Sequence, residues 1–338
     1  MDTLITEISS QSNQRLVACL ATLHLFTKIR PELMVQHTML LTPYLTIRCK
    51  EPADSHILHY VARILEVTVP LMEHPSESMV AQLEEDMVRL TLRHGKMVLE
   101  SCVACLGAVV NRVSKNYTLV RDCFSRFFTA LTRFRQDLAS DPERKISASM
   151  RPSILRALFT IGLLCKYFDA DVFQTDPRLS IRDQVFDTLM FFTEQVKTDL
   201  EMRKKALSGL GFLCTRHHEL LCGHRLCRFY HDLLRSPGMP QSAYDIYRAN
   251  SKKSIRPSDL VDATSAPEDE TENAEKRESD DCTQSQDDSN LLPSVSEVDK
   301  QATEQQEAIL ELKCVVLGNL LTFFLEEEKR MLEADAKC

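Results

Sequence analysis

An all-α fold is predicted by the composition of this chain, by the spacing of its apolar residues and by a repeated four-residue pattern. The 338 residues include 8 glycines, no tryptophan and only 7% aromatic residues. Leu, Glu, Lys, Arg and Met are abundant and favour helices, whereas a β-sandwich needs more glycine-rich turns and β-branched runs. With 43% hydrophobic residues, the chain can also bury an extended core.

The repeated pattern consists of an apolar residue, a small residue, any residue and a second apolar residue. The small residues are Ala21, Ala62, Gly107, Gly162, Gly211 and Gly318. Their separations are 41, 45, 55, 49 and 107 residues, and the last falls to 39 when the 68 polar residues 236–303 are removed. A period of roughly 40 to 50 residues is typical of the helix pairs of HEAT and armadillo repeats. The sequence therefore predicts an α-solenoid, in which each small residue lets two helices approach closely.

Helical periodicity follows the same order along the chain. Apolar stripes at three- and four-residue intervals comprise Val120, Cys123, Phe127, Leu131, Phe134 and Leu138, then Ile154, Leu158, Ile161, Cys165 and Phe168, and then Val185, Leu189, Phe192 and Val196. We expect the prolines between the stripes to lie in loops or at helix starts, where a missing N–H costs least; these are Pro31, Pro52, Pro75, Pro142, Pro152 and Pro177.

The pattern divides the chain into three parts. Residues 1–235 are predicted to form the solenoid. Residues 236–303, rich in Ser, Asp, Glu, Gln and Pro, are predicted to be a disordered acidic insertion. Residues 304–338 are predicted to form a final long helix that completes the last repeat, with one apolar face made of Ile309, Leu312, Val316, Leu320 and Phe323.

The negative charge of the chain is concentrated in the insertion. Between Asp262 and Asp288 there are 11 acidic and 2 basic residues, a balance of −9, whereas the whole chain carries −8. The remainder is therefore close to neutral, at −8 + 9 = +1. Such a balance neither requires nor excludes a nucleic-acid-binding face.

The 12 cysteines, without a secretory signal, indicate a reducing compartment and reduced thiols rather than disulfides. Cys102 and Cys105 form a C-x-x-C, but they fall in an apolar helix and are interpreted as buried core residues. No apolar run approaches the roughly 20 uncharged residues that span a bilayer, so no membrane association is expected.

No catalytic role is predicted. The sequence lacks a phosphate-binding loop, a G-x-S-x-G elbow, an H-E-x-x-H pair and a dinucleotide fingerprint, and no cofactor is expected. The one cluster of potential zinc ligands comprises Cys214, His217, His218, Cys222, His224 and Cys227. Its spacing does not match a zinc knuckle, so we interpret these residues as core thiols and helix-end histidines, with a zinc-dependent enzyme as the competing reading.

Basic side chains in two adjacent predicted repeats are the remaining candidates for a binding site. They are Arg93, Lys96, Arg112, Lys115, Arg126 and Arg133. Because Arg126 and Arg133 are seven residues apart, they share one face of a helix. If the turns bring Arg112 and Lys115 alongside, the patch could follow a phosphate backbone; the competing reading is an ordinary solvated surface.

Several strings resemble the HEAT-repeat body of the Nipped-B (adherin) family of cohesin-loading proteins. They are HLFTKIRPEL at 24–33, VPLMEHPS at 69–76, CVACLGAVVN at 102–111, LFTIGLLC at 158–165, LSGLGF at 207–212 and the tail at 326–335. These strings occur in the family's order and lie within residues 15–235 and 305–336. They resemble the central to C-terminal part of the family, without its long N-terminal region and terminal hook, so we expect a fragment or a truncated product.

The resemblance implies a non-catalytic, nuclear, chromatin-associated subunit. Such a subunit would bind DNA and the kleisin and ATPase subunits of cohesin, and would support cohesin loading, sister-chromatid cohesion, gene regulation and DNA repair. The small partner subunit of the loader is expected to bind a region that this chain lacks. The alternative is a HEAT-repeat adaptor for proteins that binds neither DNA nor cohesin.

Overall fold

A computed structural model describes residues 13–141, 146–176, 178–194, 199–236 and 295–335. It divides into two compact units, one formed by Met1–Leu234 with Leu312–Cys338 and the other by Arg235–Glu311. Most of the described residues belong to the first unit.

The described residues are helical, with short connections and no strand. The α-helices are α1 (Asn13–Ile29), α2 (Glu32–Val35), α3 (Pro52–Thr68), α4 (Glu77–Arg93), α5 (Lys96–Val109), α6 (Thr118–Ser140), α7 (Arg151–Tyr167), α8 (Ile181–Glu194), α9 (Leu200–Arg216), α10 (His218–Cys222), α11 (His224–Arg235) and α12 (Val295–Asp335). Short 3₁₀ turns follow α2, α3 and α7, and a π-helical turn, Val110–Ser114, extends α5. The predicted all-α class is confirmed.

Contacts between the helices arrange the first unit in two rows. In the first row, α1 contacts α3, α3 contacts α5, α5 contacts α7 and α7 contacts α9. In the second row, α4 contacts α6 and α6 contacts α8. Each second-row helix also contacts the first-row helix that follows it in the chain. This arrangement is consistent with the predicted solenoid of helix pairs.

The repeated small residues fall on the first row and on α12. A methyl group added at Gly107 would lie 2.8 Å from Cβ of Tyr167 on α7, and one at Gly162 would lie 2.9 Å from Cα of Gly209 on α9. At Gly211 it would overlap the side chain of Asn319 on α12. At each of these three positions the small residue therefore lets the next helix approach, which is the physical reason predicted for the pattern.

Helix starts follow the signals in the sequence. Pro52 is the first residue of α3, and the carboxylate of Asp54 accepts hydrogen bonds from the backbone N–H groups of Lys50 and Glu51 at 2.8 and 3.0 Å. The other oxygen of Asp54 accepts one from the side-chain amide of Asn13 at 3.0 Å, which ties the start of α1 to the start of α3. Pro152 likewise lies in the first turn of α7. Pro142 and Pro177 lie outside the described residues.

The apolar stripes form one continuous core. All five residues of the stripe on α7 and its end are buried, among them Phe168, which is fully buried. The stripe on α6 is buried except for Phe127, which is half-buried. On α8, Val185, Leu189 and Phe192 are buried, whereas Val196 lies outside the described residues.

The last helix packs on α9 through a polar contact and two apolar residues. Leu312 and Val316 are fully buried, and the side-chain amide of Asn319 donates hydrogen bonds to the carbonyl of Leu207 at 2.8 Å and to the hydroxyl of Tyr230 at 3.0 Å. The helix begins at Val295, earlier than the predicted start near residue 304. Residues 237–294 of the predicted insertion lie outside the described residues, so the predicted disorder stays a prediction.

Two helical stretches, Lys96–Ser114 and Glu304–Leu332, reach the length and mean hydropathy of a membrane-spanning helix. The sequence-based expectation, which counted only uncharged runs, did not anticipate this. In Lys96–Ser114, 61% of the apolar window is buried, as in the core helix of a soluble protein, whereas in Glu304–Leu332 only 11% is buried. Length and composition alone do not distinguish a membrane span from a helix that packs on protein.

Candidate functional site

The six predicted basic residues are all exposed, but they lie on both rows and in the connections between them. Arg126 and Arg133 are on α6 of the second row, and Arg93 ends α4 of the same row. Lys96 begins α5 of the first row, whereas Arg112 and Lys115 lie in and just after the π-helical turn. The structure describes no contact that joins the six into one patch, so a single phosphate-binding patch stays a prediction.

Arg126 and Arg133 are the two members that best suit an external partner. Both side chains are exposed, and neither forms a hydrogen bond or salt bridge with another described residue. The buried stripe of α6, which includes Leu131 and Phe134, occupies the opposite part of the helix. Their charges are therefore available at the surface of the second row.

Lys96 and Lys115 have contacts within the fold. The ammonium group of Lys115 donates a hydrogen bond to the carbonyl of Asn111, and Lys115 itself has a φ of 55°, a left-handed conformation that ends the π-helical turn. The ammonium group of Lys96 lies 5.9 Å from the ring centre of Phe159, whose ring is also approached by Lys205 at 4.9 Å. Part of each charge is thus used to stabilise a helix end or an aromatic contact.

Other arginines, which the sequence did not distinguish, hold neighbouring elements together. Arg89 donates to the carbonyl of Leu45 at 3.1 Å, and Arg156 donates to the carbonyl of Leu92 at 3.1 Å. The guanidinium of Arg216 reaches the carbonyl of Lys166 at 2.9 Å. Such bonds satisfy carbonyls at the ends of helices, so a count of basic residues overstates the charge that is free to bind a ligand.

The sequence did not predict a basic groove on the first row, which we call the first-row groove. It is an open cavity of about 380 Å³ between α1, α3, α5 and α7. Its basic lining residues are His24, Lys28, His59, Arg63 and Lys166. Glu100, Ser101 and Tyr167 complete its polar lining. One signal was present in the sequence, because His24 and Lys28, like His59 and Arg63, are four residues apart and so share a helix face.

Hydrogen bonds and packing fix the walls of this groove. Nδ1 of His59 lies 2.5 Å from the hydroxyl oxygen of Ser101 on α5, and the ring of His59 meets that of Tyr60 edge-on with 5.0 Å between centres. The side-chain amide of Asn111 donates to the carbonyl of Tyr167 at 2.9 Å. Gly107 lets the Cβ of Tyr167 approach α5, so the repeated small residue also shapes this wall.

Burial and nearby cations keep the two histidines of the groove neutral. Burial lowers the pKa of His24 from 6.5 to about 4, with Lys28, Arg63 and His59 adding to the effect. Burial also lowers the pKa of His59, with Arg63 as the next cause. Both imidazoles are therefore neutral at pH 7, and they are surrounded by cations that disfavour a further positive charge.

The potential zinc ligands do not form a site among the described residues. Cys214 is buried, and burial raises its pKa to about 12, whereas Cys222 and Cys227 are exposed. His218 pairs with Glu327 of α12 at 2.5 Å. No group of three His, Cys, Asp or Glu side chains within the described part of the chain is close enough to hold a metal ion. The side chain of His224 lies outside that part.

Cys102 and Cys105 occupy the core, as predicted. Both thiols are buried within α5, and burial raises the pKa of Cys102 to about 12 and that of Cys105 well above its usual value. The thiolate form, which carries out redox chemistry, is therefore scarce at neutral pH.

Comparison with known proteins gives similarity to one group of relatives. The Nipped-B-like protein of Homo sapiens is 43% identical over 222 residues, which cover 65% of this chain and 8% of the human protein. The Nipped-B protein of Drosophila melanogaster is 38% identical over 242 residues, 70% of this chain and 12% of the fly protein. The Nipped-B-like protein scc-2 of Caenorhabditis elegans is 29% identical over 237 residues, which cover 68% of this chain and 11% of the worm protein. The chain thus spans roughly a tenth of the length of these relatives, and no family model matches it.

Proposed function

Because about two thirds of this chain is homologous to a segment of the Nipped-B-like proteins, we propose that it is a non-catalytic part of a cohesin-loading factor. It would act in the nucleus, bound to chromatin, and would contact the kleisin and ATPase subunits of cohesin as well as DNA. Sister-chromatid cohesion, gene regulation and DNA repair would depend on that activity. The observation that carries the proposal is the 43% identity over 222 residues.

The arrangement of the helices supports a scaffold. Two rows of contacting helices present long faces that can bind several partners at once, and this suits a protein whose partner supplies the ATPase chemistry. The buried thiols of α5 offer no nucleophile. The alternative is an adaptor that binds proteins but neither cohesin nor DNA.

The first experiment is a pull-down of purified cohesin by the full chain, with and without duplex DNA, across a series of salt concentrations. We expect cohesin to be retained at low salt. Circular dichroism establishes beforehand that the chain is folded and helical. If the folded chain retains no cohesin at any salt concentration, the loader proposal fails and the adaptor alternative stands.

The DNA contact is tested by reversing two charges on the second row. Replacing Arg126→Glu and Arg133→Glu together should weaken duplex DNA binding by about tenfold or more at low salt, and should reduce the slope of log K against log salt by roughly 2, because about one counterion is released for each neutralised phosphate. The matched control is Arg228→Glu with Lys329→Glu, which changes the net charge equally at two other exposed positions. An equal loss of DNA affinity in both double variants would show that only the net charge matters, and would refute a site at Arg126 and Arg133.

A further inference from the structure

The first-row groove combines converging cations with few opposing carboxylates. Lys28 and Arg63 enter it from α1 and α3, and Lys166 enters from the end of α7. Lys28 forms no hydrogen bond or salt bridge with another described residue. The ammonium group of Lys166 lies over the rings of Tyr167 and Phe212, at 5.2 and 5.0 Å from their centres, so its neighbours here are aromatic faces.

Glu66 and Glu100 supply the negative charge near these cations. Glu66 forms a salt bridge with Arg63 at 2.7 Å, but burial raises the pKa of the Glu66 carboxyl group even though Arg63, Arg112, Lys166 and Lys28 act against that rise. Three of these cations, Lys28, Arg63 and Lys166, line the groove, whose lining includes one carboxylate, that of Glu100. A dianion would share the guanidinium of Arg63 with Glu66, since that group has five N–H donors.

We propose that the first-row groove is a binding site for a phosphate monoester, carried by a phosphorylated side chain or by a small phosphorylated molecule. The dianion would accept hydrogen bonds from Lys28, Arg63 and Lys166, which come from three separate helices. Phosphate monoesters carry close to two negative charges at pH 7 and three strong acceptor oxygens, which suits such a convergence of donors.

The geometry favours a monoester over the backbone of a nucleic acid. The charges converge on one cavity of about 380 Å³ rather than extending along a track. A backbone diester carries one negative charge per phosphate and needs a series of separate cations. The binding test at this site requires no cohesin, so either proposal can fail without the other.

Histidine protonation provides a second, independent readout. His24 faces Lys28 on its own helix and Tyr60, His59 and Arg63 on α3. His59 faces Arg63 and His56 on α3 and Ser101, Glu100 and the backbone of Met97 on α5. Burial is the largest cause of the lowered pKa of both imidazoles, and a bound dianion would oppose the smaller contribution of the neighbouring cations, so binding should raise both pKa values.

The test is isothermal titration calorimetry of the full chain with O-phosphoserine and with a phosphoserine peptide, at pH 7.5 and low salt. We expect saturable binding at one site, weakened at least tenfold by Lys28→Gln with Lys166→Gln. Binding should be unchanged in Arg228→Gln with Lys329→Gln, which removes the same charge at two exposed positions that do not line the groove. An NMR titration of the histidine ring signals should show a higher pKa for His24 with bound O-phosphoserine than without it.

The two probes distinguish the sources of the phosphate. Equal affinity for O-phosphoserine and the peptide indicates a small phosphorylated molecule, and tighter binding of the peptide indicates a phosphorylated protein; both support the site. Absence of saturable binding by either probe overturns the proposal, as does equal weakening in the two double variants. Binding of a 20-base-pair duplex that depends on Lys28 and Lys166, without binding of the monoester probes, would also overturn it and assign the groove to a nucleic acid.

Discussion

Gly162 and Gly318 occupy the same place in the repeated pattern, yet their surroundings differ. Gly162, in the middle of the first row, faces the backbone of Gly209 so closely that a methyl group would lie 2.9 Å from its Cα atom. Gly318, on α12, has no described atom within 4 Å of the position of an added methyl group. The same local sequence therefore has a packing function in the interior of the row and none at this described end.

The apolar residues around the closely packed Gly162 are buried, whereas many of those around the open Gly318 are exposed. On α7, Leu158, Ile161 and Leu164 are fully buried. On α12, the exposed apolar residues, each more than half accessible, are Leu317, Leu321, Phe324, Leu325, Met331 and Leu332. The small residue of the repeat motif therefore predicts a helix and leaves room for a neighbouring helix. Whether a neighbouring helix packs against that residue depends on the position of the repeat in the chain.

The largest effect is expected at Gly162. Gly162→Ala should lower the free energy of unfolding by about 1–3 kcal/mol, because the methyl group would meet backbone that cannot rotate away, and this overpacking outweighs the higher helix propensity of alanine. Urea unfolding followed by circular dichroism measures the change. A Gly162→Ala protein as stable as the parent would contradict the packing function of Gly162, since it would show that α7 and α9 can move apart without a loss of stability.

A smaller loss is expected where α12 meets α9. Asn319→Ala should lower the free energy of unfolding by about 1–2 kcal/mol, because it removes the bonds to the carbonyl of Leu207 and to the buried hydroxyl of Tyr230. Hydrogen exchange of the amides of residues 312–325 should speed up in this variant. Tyr230→Phe is the matched control, since it removes only the second bond and should cost less. Unchanged exchange would mean that the apolar contacts of Leu312 and Val316 hold α12 by themselves.

The smallest effect, of opposite sign, is expected at Gly318. Gly318→Ala should raise the local stability of α12 by about 0.5–1 kcal/mol, because alanine restricts the unfolded backbone and meets no described neighbour. Urea unfolding measures this change as well. The free energy of unfolding should therefore rise for Gly318→Ala and fall for Gly162→Ala. Destabilisation at Gly318 would instead reveal a contact with residues outside the described part of the chain.

The basic surfaces show how far the sequence could locate a site. It identified Arg126 and Arg133, whose shared face follows from helical periodicity, and both are exposed on one helix. It also grouped them with Lys96 and Lys115, which the structure places beside Phe159 and at a helix end. It missed the first-row groove, because Lys28 and Lys166 belong to helices that are distant in sequence and line one cavity only after packing.

The helical class, the position of the small residues and the buried stripes follow from the sequence alone, because they depend on local spacing of 3.6 residues per turn and on composition. Cys102 and Cys105 could be assigned to the core for the same reason. Which glycines face another backbone, which arginines bond within the fold and which cations line one cavity depends on the packing of the helices. Those outcomes depend on the pairing of helices far apart along the chain, and no local pattern specifies which side chains meet there.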